Sequence, residues 1–341
     1  MVDRVVTKRG KPFQSALAPY EDEVKALKAE GRSVRAIAEE MKLRHGLQIS
    51  HNAVQSFLKT HGHSRRHFLD GVPVARRAEL LQAIKALWTH DSTAIEGNTL
   101  TLGDTMIVLQ YGLTVRGKPL KDHEDVIAHA SGVDRIQELV GRRRLEKEDV
   151  LGLHRLVISD KAQDIYKPIG SWKREDNGTY GEEKGRAVYM AYAPADDTPQ
   201  LMDDWLRDFN STFARPLSEE TAVEAYVRAH VSFVRIHPFF DGNGRMARLL
   251  ANLPVLAAGY PPIVIPSEGR VEYIRALWDY QRAVGAIDLS HPELLPQDGT
   301  LEVFRRVVAS AWKSTLDLVA EARNPQGHSP VNRVWSNQGV I

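Results

Sequence analysis

Cysteine is absent from the 341 residues, which excludes disulfides and thiol chemistry and is compatible with a reducing compartment. No apolar run approaches the roughly 20 residues that a bilayer-spanning helix needs. The basic N-terminus has no apolar h-region behind it, so no membrane partner is expected and the reading is a cytoplasmic protein. Net charge is almost missing too, +1 from 45 Lys and Arg against 44 Asp and Glu. What is present is a hydrophobic fraction of 43%, enough for real cores on a length that suggests about two or three domains. The balanced total hides an asymmetry: residues 1–66 carry 13 Lys and Arg against 7 Asp and Glu, a net of +6, and the remainder carries a net of −5.

Within this basic segment the pattern predicts helices over 20–29, 33–41 and 50–59, the last two capped by Ser33 and Ser50, with a break at Gly31-Arg32. Val34, Ile37, Ala38 and Met41 form one apolar stripe and Val54, Phe57 and Leu58 another, which suits a small three-helix core. The segment resembles a helix-turn-helix DNA-binding module with a longer than usual turn at 43–49. That resemblance makes the third helix the reader of duplex DNA, with Ser50, His51, Asn52 and Gln55 at its exposed start meeting base edges. Small helical trios also serve as docking modules, and the sequence leaves that alternative open. The histidines of 61–67 lack an acid or cysteine to complete a metal site and read as part of a basic linker, which continues over 67–74.

The stretch His237-Pro238-Phe239-Phe240-Asp241-Gly242-Asn243-Gly244-Arg245-Met246-Ala247-Arg248 lies between apolar-periodic runs at 222–236 and 246–258, so a loop joins two helices. Glycines on both sides of Asn243 let consecutive N–H groups converge at the positive end of the second helix, a place for phosphate. Arg245 and Arg248, three apart, share a helical face and hold further phosphate oxygens. Asp241 is a hard oxygen ligand suited to Mg2+. His237 is the group whose ordinary pKa lies near neutrality, and hence the candidate general base. Such a set suits nucleotidyl or phosphoryl transfer.

In this register the stretch resembles the signature of Fic (filamentation-induced-by-cAMP) proteins, His-x-Phe-x-Asp/Glu-Gly-Asn-Gly-Arg-x-x-Arg, at every specified position. The resemblance implies transfer of AMP from ATP to a protein hydroxyl. It makes His237 the base, Asp241 the Mg2+ ligand, Gly242, Asn243 and Gly244 the phosphate cradle, Arg245 and Arg248 the triphosphate grip, and Phe239 an anchor in the core. A second stretch, Ser92-Thr93-Ala94-Ile95-Glu96-Gly97, closes a helix expected over 75–98 and is similar to the family's inhibitory motif. That similarity implies that Glu96 pairs with Arg248 and blocks the γ-phosphate site in cis, with Ser92 and Gly97 completing the motif.

Glycines at 170, 178, 181 and 185 around Trp172-Lys173-Arg174 and 186–190 predict a hairpin over 170–190. In Fic proteins this flap docks an extended segment of the target protein. In the helix at 271–284, Tyr273 and Gln281 fall where the family holds adenine; Ile274 stands where relatives often have a second tyrosine. His154 reads as a packed core histidine. A helix at 300–322 and a flexible tail at 324–341 close the chain.

The expected fold is mostly α, a helical Fic core over 75–290 with a small β-hairpin, preceded by the three-helix module. Transfer of UMP, phosphocholine or phosphate, removal of AMP, and a DNA-bound regulator that only senses the nucleotide are the alternatives. Oligomeric state, target and operator stay open.

Overall fold

Ser33 and Ser50 each accept a hydrogen bond from the amide three residues on, Ala36 at 3.2 Å and Ala53 at 3.1 Å. These caps start two helices of the N-terminal unit by satisfying amides that the first turn leaves without partners. The computed structural model describes residues 16–29, 32–61, 67–142, 144–158, 167–213 and 215–324. The described residues fall into two compact units, one ending at 61 and the other beginning at 67. Of the predicted linker histidines, His63 lies outside them, as does the tail at 325–341.

In the first unit, α1 (Glu21–Ala29), α2 (Val34–His45) and α3 (His51–His61) surround Val24, Leu27, Ile37, Ala38, Met41, Val54 and Phe57. Helix α2 runs past Met41, where the pattern predicted its end. Arg44 supports the extra turn through ion pairs with Glu40 and with Glu23 on α1, and Gly46, at φ 68°, closes the helix in the left-handed conformation. The turn before α3 is therefore 46–50, shorter than the 43–49 expected.

The second unit contains α4 (Val74–Ile95), α5 (Leu102–Tyr111), α6 (Leu120–Val140), α7 (Lys147–Val157), the hairpin β1 (Gly178–Glu183) and β2 (Arg186–Ala191), α8 (Thr198–Phe213), α9 (Glu219–Ile236), α10 (Asn243–Leu250), α11 (Asn252–Ala257), α12 (Arg270–Val284) and α13 (Leu301–Arg323). Helix α9 is the axis. It begins with a Ser218/Thr221 capping box and packs against α8, α10, α11 and α13. Tyr226, Val227, Val231, Phe233 and Ile236 are buried around it, the pattern of a helix covered on most sides.

Several boundaries differ from the sequence pattern. The predicted linker at 67–74 is part of this unit: Phe68 and Val72 are buried with Leu80, Leu318 and Ala322, and Arg323 donates to the carbonyls of Phe68 and Asp70. Helix α13 likewise packs Phe304, Val308 and Trp312 into the main core and is not a separate element. The helix predicted over 246–258 starts at Asn243 and breaks at Ala251, because Pro254 has no N–H for the preceding turn. Asn252 fills the gap, donating to the carbonyls of Arg248 and Ile263, both at 2.9 Å. The hairpin occupies 178–191 rather than 170–190. Trp172-Lys173-Arg174 do not form a strand, because the amide of Lys173 bonds to Pro238 at 2.8 Å and draws that segment onto the 237–248 loop. Among the described residues, no helix is long and apolar enough to cross a membrane.

Candidate active site

Helix α9 ends on His237, whose φ of 52° is left-handed, an uncommon conformation for a residue with a side chain. Its ring lies flat against Tyr192 at 3.7 Å between centroids and 3° between planes. Nδ1 is 3.3 Å from the carbonyl of Val234; a carbonyl can only accept, so Nδ1 carries the hydrogen and Nε2 keeps the lone pair. Burial pushes the imidazole down to about 3, with the Lys173 ammonium adding to the effect and the Val234 bond opposing it. The result is a neutral ring that lines a cavity of about 1010 Å³.

The loop that follows is held from beneath. Phe239 is fully buried and stacks on His154 at 3.7 Å and 6°. His154 receives the amide of Gly170 on Nδ1 at 2.9 Å and donates from Nε2 to the carbonyl of Asp241 at 3.0 Å. Burial lowers its pKa to about 4, so it links the two segments as a neutral ring. It is buried, as expected, but it has a task that the sequence did not reveal. Asn243 also differs from expectation: its side chain accepts from the Phe239 amide at 3.0 Å and donates to the Phe239 carbonyl at 2.8 Å. The side chain thus braces the loop. Gly242 has φ 79°, and a Cβ there would meet Ile158 Cδ1 at 2.5 Å. No side chain among the described residues caps the first turn of α10.

The two arginines share a face of α10 but face different partners. Arg245 reaches Asp125 and Asp241, both at 3.3 Å, and borders a smaller polar cavity of about 250 Å³. Arg248 borders the large one. Its Nε donates to Ser92 Oγ at 2.9 Å, and Nη2 donates to the Ser92 carbonyl at 2.8 Å and to Glu96 Oε1 at 2.6 Å. Nη1 donates to the Tyr273 hydroxyl at 3.3 Å. Burial opposes the charge on Arg248, yet Tyr273 and Glu96 together hold its pKa above the ordinary value. Tyr273, expected against adenine, has its hydroxyl between Arg248 and His230 Nε2, the latter at 2.9 Å, so it bridges the arginine and the buried histidine. Glu96 caps α4 just before Gly97, at φ 99°. A Cβ on Gly244 would stand 2.5 Å from Glu96 Oε1, so the carboxylate fills the space above the glycine turn.

The hairpin lines the large cavity through residues 179–184, and Trp278 of α12 and His237 line it too. A Cβ on Gly181 would be 2.5 Å from the Trp278 ring, and Arg282 pairs with Glu183 at 3.1 Å; the hairpin thereby rests on α12. His237, Asp241, Gly242, Asn243, Gly244, Arg248 and Tyr273 all meet this one space. Ser50, His51, Asn52 and Gln55 are exposed at the start of α3, in the other unit.

Residues 144–255 match the Fic/DOC family. The chain carries a Fic domain. Protein adenylyltransferase fic-1 of Caenorhabditis briggsae is 36% identical over 200 residues, which cover 56% of this chain and 36% of that protein. The chain spans little more than a third of the length of the two Caenorhabditis relatives. A Fic domain containing signaling protein from Bacteroides thetaiotaomicron superposes with a TM-score of 0.65 at 28% identity, covering 74% of this chain and 91% of that one. Fic-1 of Caenorhabditis elegans (residues 134–508) shares the fold, with a TM-score of 0.56 at 24% identity.

Three buried histidines of this unit, at 129, 154 and 230, and the half-buried His237 have their pKa values lowered chiefly by desolvation. Unfolded histidine titrates near 6.5, whereas His154 and His237 titrate at about 4 and about 3 in the fold. Between those values the unfolded chain takes up protons that the fold refuses, so stability falls as pH drops below roughly 6.5. Melting followed from pH 7 to pH 5 is expected to show a steady loss, and a flat profile would contradict these assignments.

Proposed function

We propose that this chain transfers AMP from Mg·ATP to a Ser, Thr or Tyr hydroxyl of a protein, itself included, and that Glu96 restrains the reaction in cis. The observation that carries this reading is the meeting, in one cavity, of a neutral His237 with its Nε2 lone pair, the uncapped start of α10 and Arg248. Nε2 takes the proton of the target hydroxyl as its oxygen bonds to the α-phosphorus and pyrophosphate departs. Main-chain amides of Asn243 and Gly244, at the positive end of α10, hold phosphate oxygens, while the Gly242 amide donates to Asp241 Oδ1 at 2.6 Å. Arg248 holds the far end of the triphosphate once Glu96 has left it.

Asp241 fits Mg2+ as a single carboxylate ligand. Its side chain is 72% exposed and borders both cavities, and among the described residues no group of three or more acids and histidines forms a closed metal cage. Asp241 would hold such an ion, which would supply charge neutralisation to the triphosphate.

The test uses the Glu96→Gly protein with ATP labelled in turn at the α- and γ-phosphate. Label from the α position and a mass gain of one AMP are expected. Label from the γ position alone would replace this reading with phosphorylation, and another mass would indicate UMP or phosphocholine chemistry.

For the first unit we infer binding to duplex DNA through α3. The net of +6 over residues 1–66 supports the electrostatic part, and the exposure of Ser50, His51, Asn52 and Gln55 supports base contacts. Gel-shift titration of the full chain at low salt is expected to give a complex that salt weakens and that Asn52→Ala with Gln55→Ala makes less sequence-selective. Absence of any complex would leave the unit as a protein-docking module.

A further inference from the structure

Four consecutive carbonyls of the catalytic loop, from Ile236 to Phe239, are each bonded by one of two residues, Lys173 and Asn177. Lys173 Nζ donates to Ile236 at 3.2 Å, and its main-chain N–H donates to Pro238 at 2.8 Å. Asn177 Nδ2 donates to His237 at 3.4 Å and to Phe239 at 3.0 Å, which uses both hydrogens of the amide. The two residues are tied to each other by Lys173 Nζ donating to Asn177 Oδ1 at 2.7 Å. Lys173 is 4% exposed, an unusual burial for an amine, and burial lowers its pKa to about 8.

The position of this pair in the chain matters as much as its bonds. Asn177 is the residue before β1 and Tyr192 the residue after β2. The Tyr192 amide donates to the Asn177 carbonyl at 3.0 Å, and the Tyr192 ring covers the face of His237. One leg of the hairpin therefore stands on the backbone that carries the imidazole and the other on the ring itself. His237 keeps a left-handed φ that costs free energy unless its surroundings over-determine it, and these bonds supply that constraint.

We propose that Lys173 and Asn177 are positioning residues that hold His237 in this conformation and couple the hairpin, where a target segment would add as a strand, to the imidazole. This rests on the reading of His237 as the base of AMP transfer. A strand paired to the hairpin edge fixes β1 and β2 relative to each other; through Asn177 and Tyr192 the same fixing reaches the ring. Neither residue touches the reacting atoms.

The test compares Asn177→Leu and Lys173→Met, near-isosteric changes that remove side-chain donors, in the Glu96→Gly background. A misplaced base lowers turnover and leaves nucleotide binding alone. We expect kcat to drop roughly tenfold to a hundredfold while KM for ATP stays within about twofold. Nitrogen-15 spectra of the His237 ring at neutral pH, taken on the protein with Glu96 intact, are expected to change from the Nδ1–H form to a mixture of tautomers in Asn177→Leu. Unchanged ring spectra, or parallel loss of kcat and ATP affinity, would overturn the proposal. Should Asn177→Leu fail to fold, Lys173→Met, which keeps the main-chain bond to Pro238, carries the test. If the Glu96→Gly parent transfers no AMP, the enzymatic reading fails by itself, and the ring spectra still decide whether the brace sets the tautomer.

Discussion

Replacing Glu96 with glycine is expected to raise AMP transfer by roughly a hundredfold to a thousandfold, an estimate that follows from charge placement. Glu96 Oε1 lies 2.6 Å from Arg248 Nη2 and 2.5 Å from the point a Cβ of Gly244 would occupy. It therefore neutralises the guanidinium and stands over the turn where phosphate must come. Two like charges about 4 Å apart at an effective dielectric of about 20 repel by roughly 4 kcal/mol. Each ~1.4 kcal/mol is tenfold in rate, so this repulsion alone gives about a thousandfold as a ceiling. Stability should hardly move. Glu96 is 43% exposed, a setting in which ion pairs contribute up to about 1 kcal/mol, and Ser92 and Tyr273 still hold Arg248. Glu96→Gln keeps a group for Nη2 while dropping the charge, and an intermediate rate is expected of it. Mass spectrometry after incubation with ATP and Mg2+ measures all three proteins. A glycine variant no faster than its parent would remove inhibition in cis.

The parts of this fold that were legible are those written in local sequence. Ser33 and Ser50 cap helices because a hydroxyl before an apolar period satisfies first-turn amides, and both contacts are present. The Glu96–Arg248 pair was expected from a resemblance of two stretches and is present at 2.6 Å. What stayed hidden depends on main-chain atoms far away in sequence. Nothing in Trp172-Lys173-Arg174 indicates that the lysine is buried against Ile236, because a carbonyl has no letter in the sequence. Glycines nearby read as hairpin signals and moved the predicted strand onto a segment that instead belongs to the loop. His154 was recognisable as buried from its apolar neighbours on α7, but its bonds to Gly170 and Asp241 come from two other segments. Asn243 fits a phosphate cradle by its place between glycines, and only the three-dimensional turn shows its amide folded back on Phe239.

Loss of the imidazole is expected to lower transfer by at least roughly a thousandfold in the Glu96→Gly background, the upper part of the range for a general base. Alanine is the simple substitution, and asparagine the more informative one. Position 237 sits at φ 52°, which asparagine tolerates better than other residues with a side chain, so His237→Asn keeps the end of α9 while removing Nε2. ATP affinity should then stay within about twofold, because the proposed phosphate contacts lie in α10, which carries Arg248. A resting pKa of about 3 makes His237 a weak base in the free protein. Bound phosphates reverse this, since negative charge beside the ring favours its protonated form and raises its basicity when a nucleotide is in place. Lys173 works the other way, holding the ring neutral until then. The same chemistry predicts a kcat/KM that does not decline through this group between about pH 8 and pH 5, because in the free protein His237 stays neutral over that range. An asparagine variant that still modifies its target at more than about a tenth of the parent rate would show that the proton leaves by another route, and the role of His237 would have to be given up.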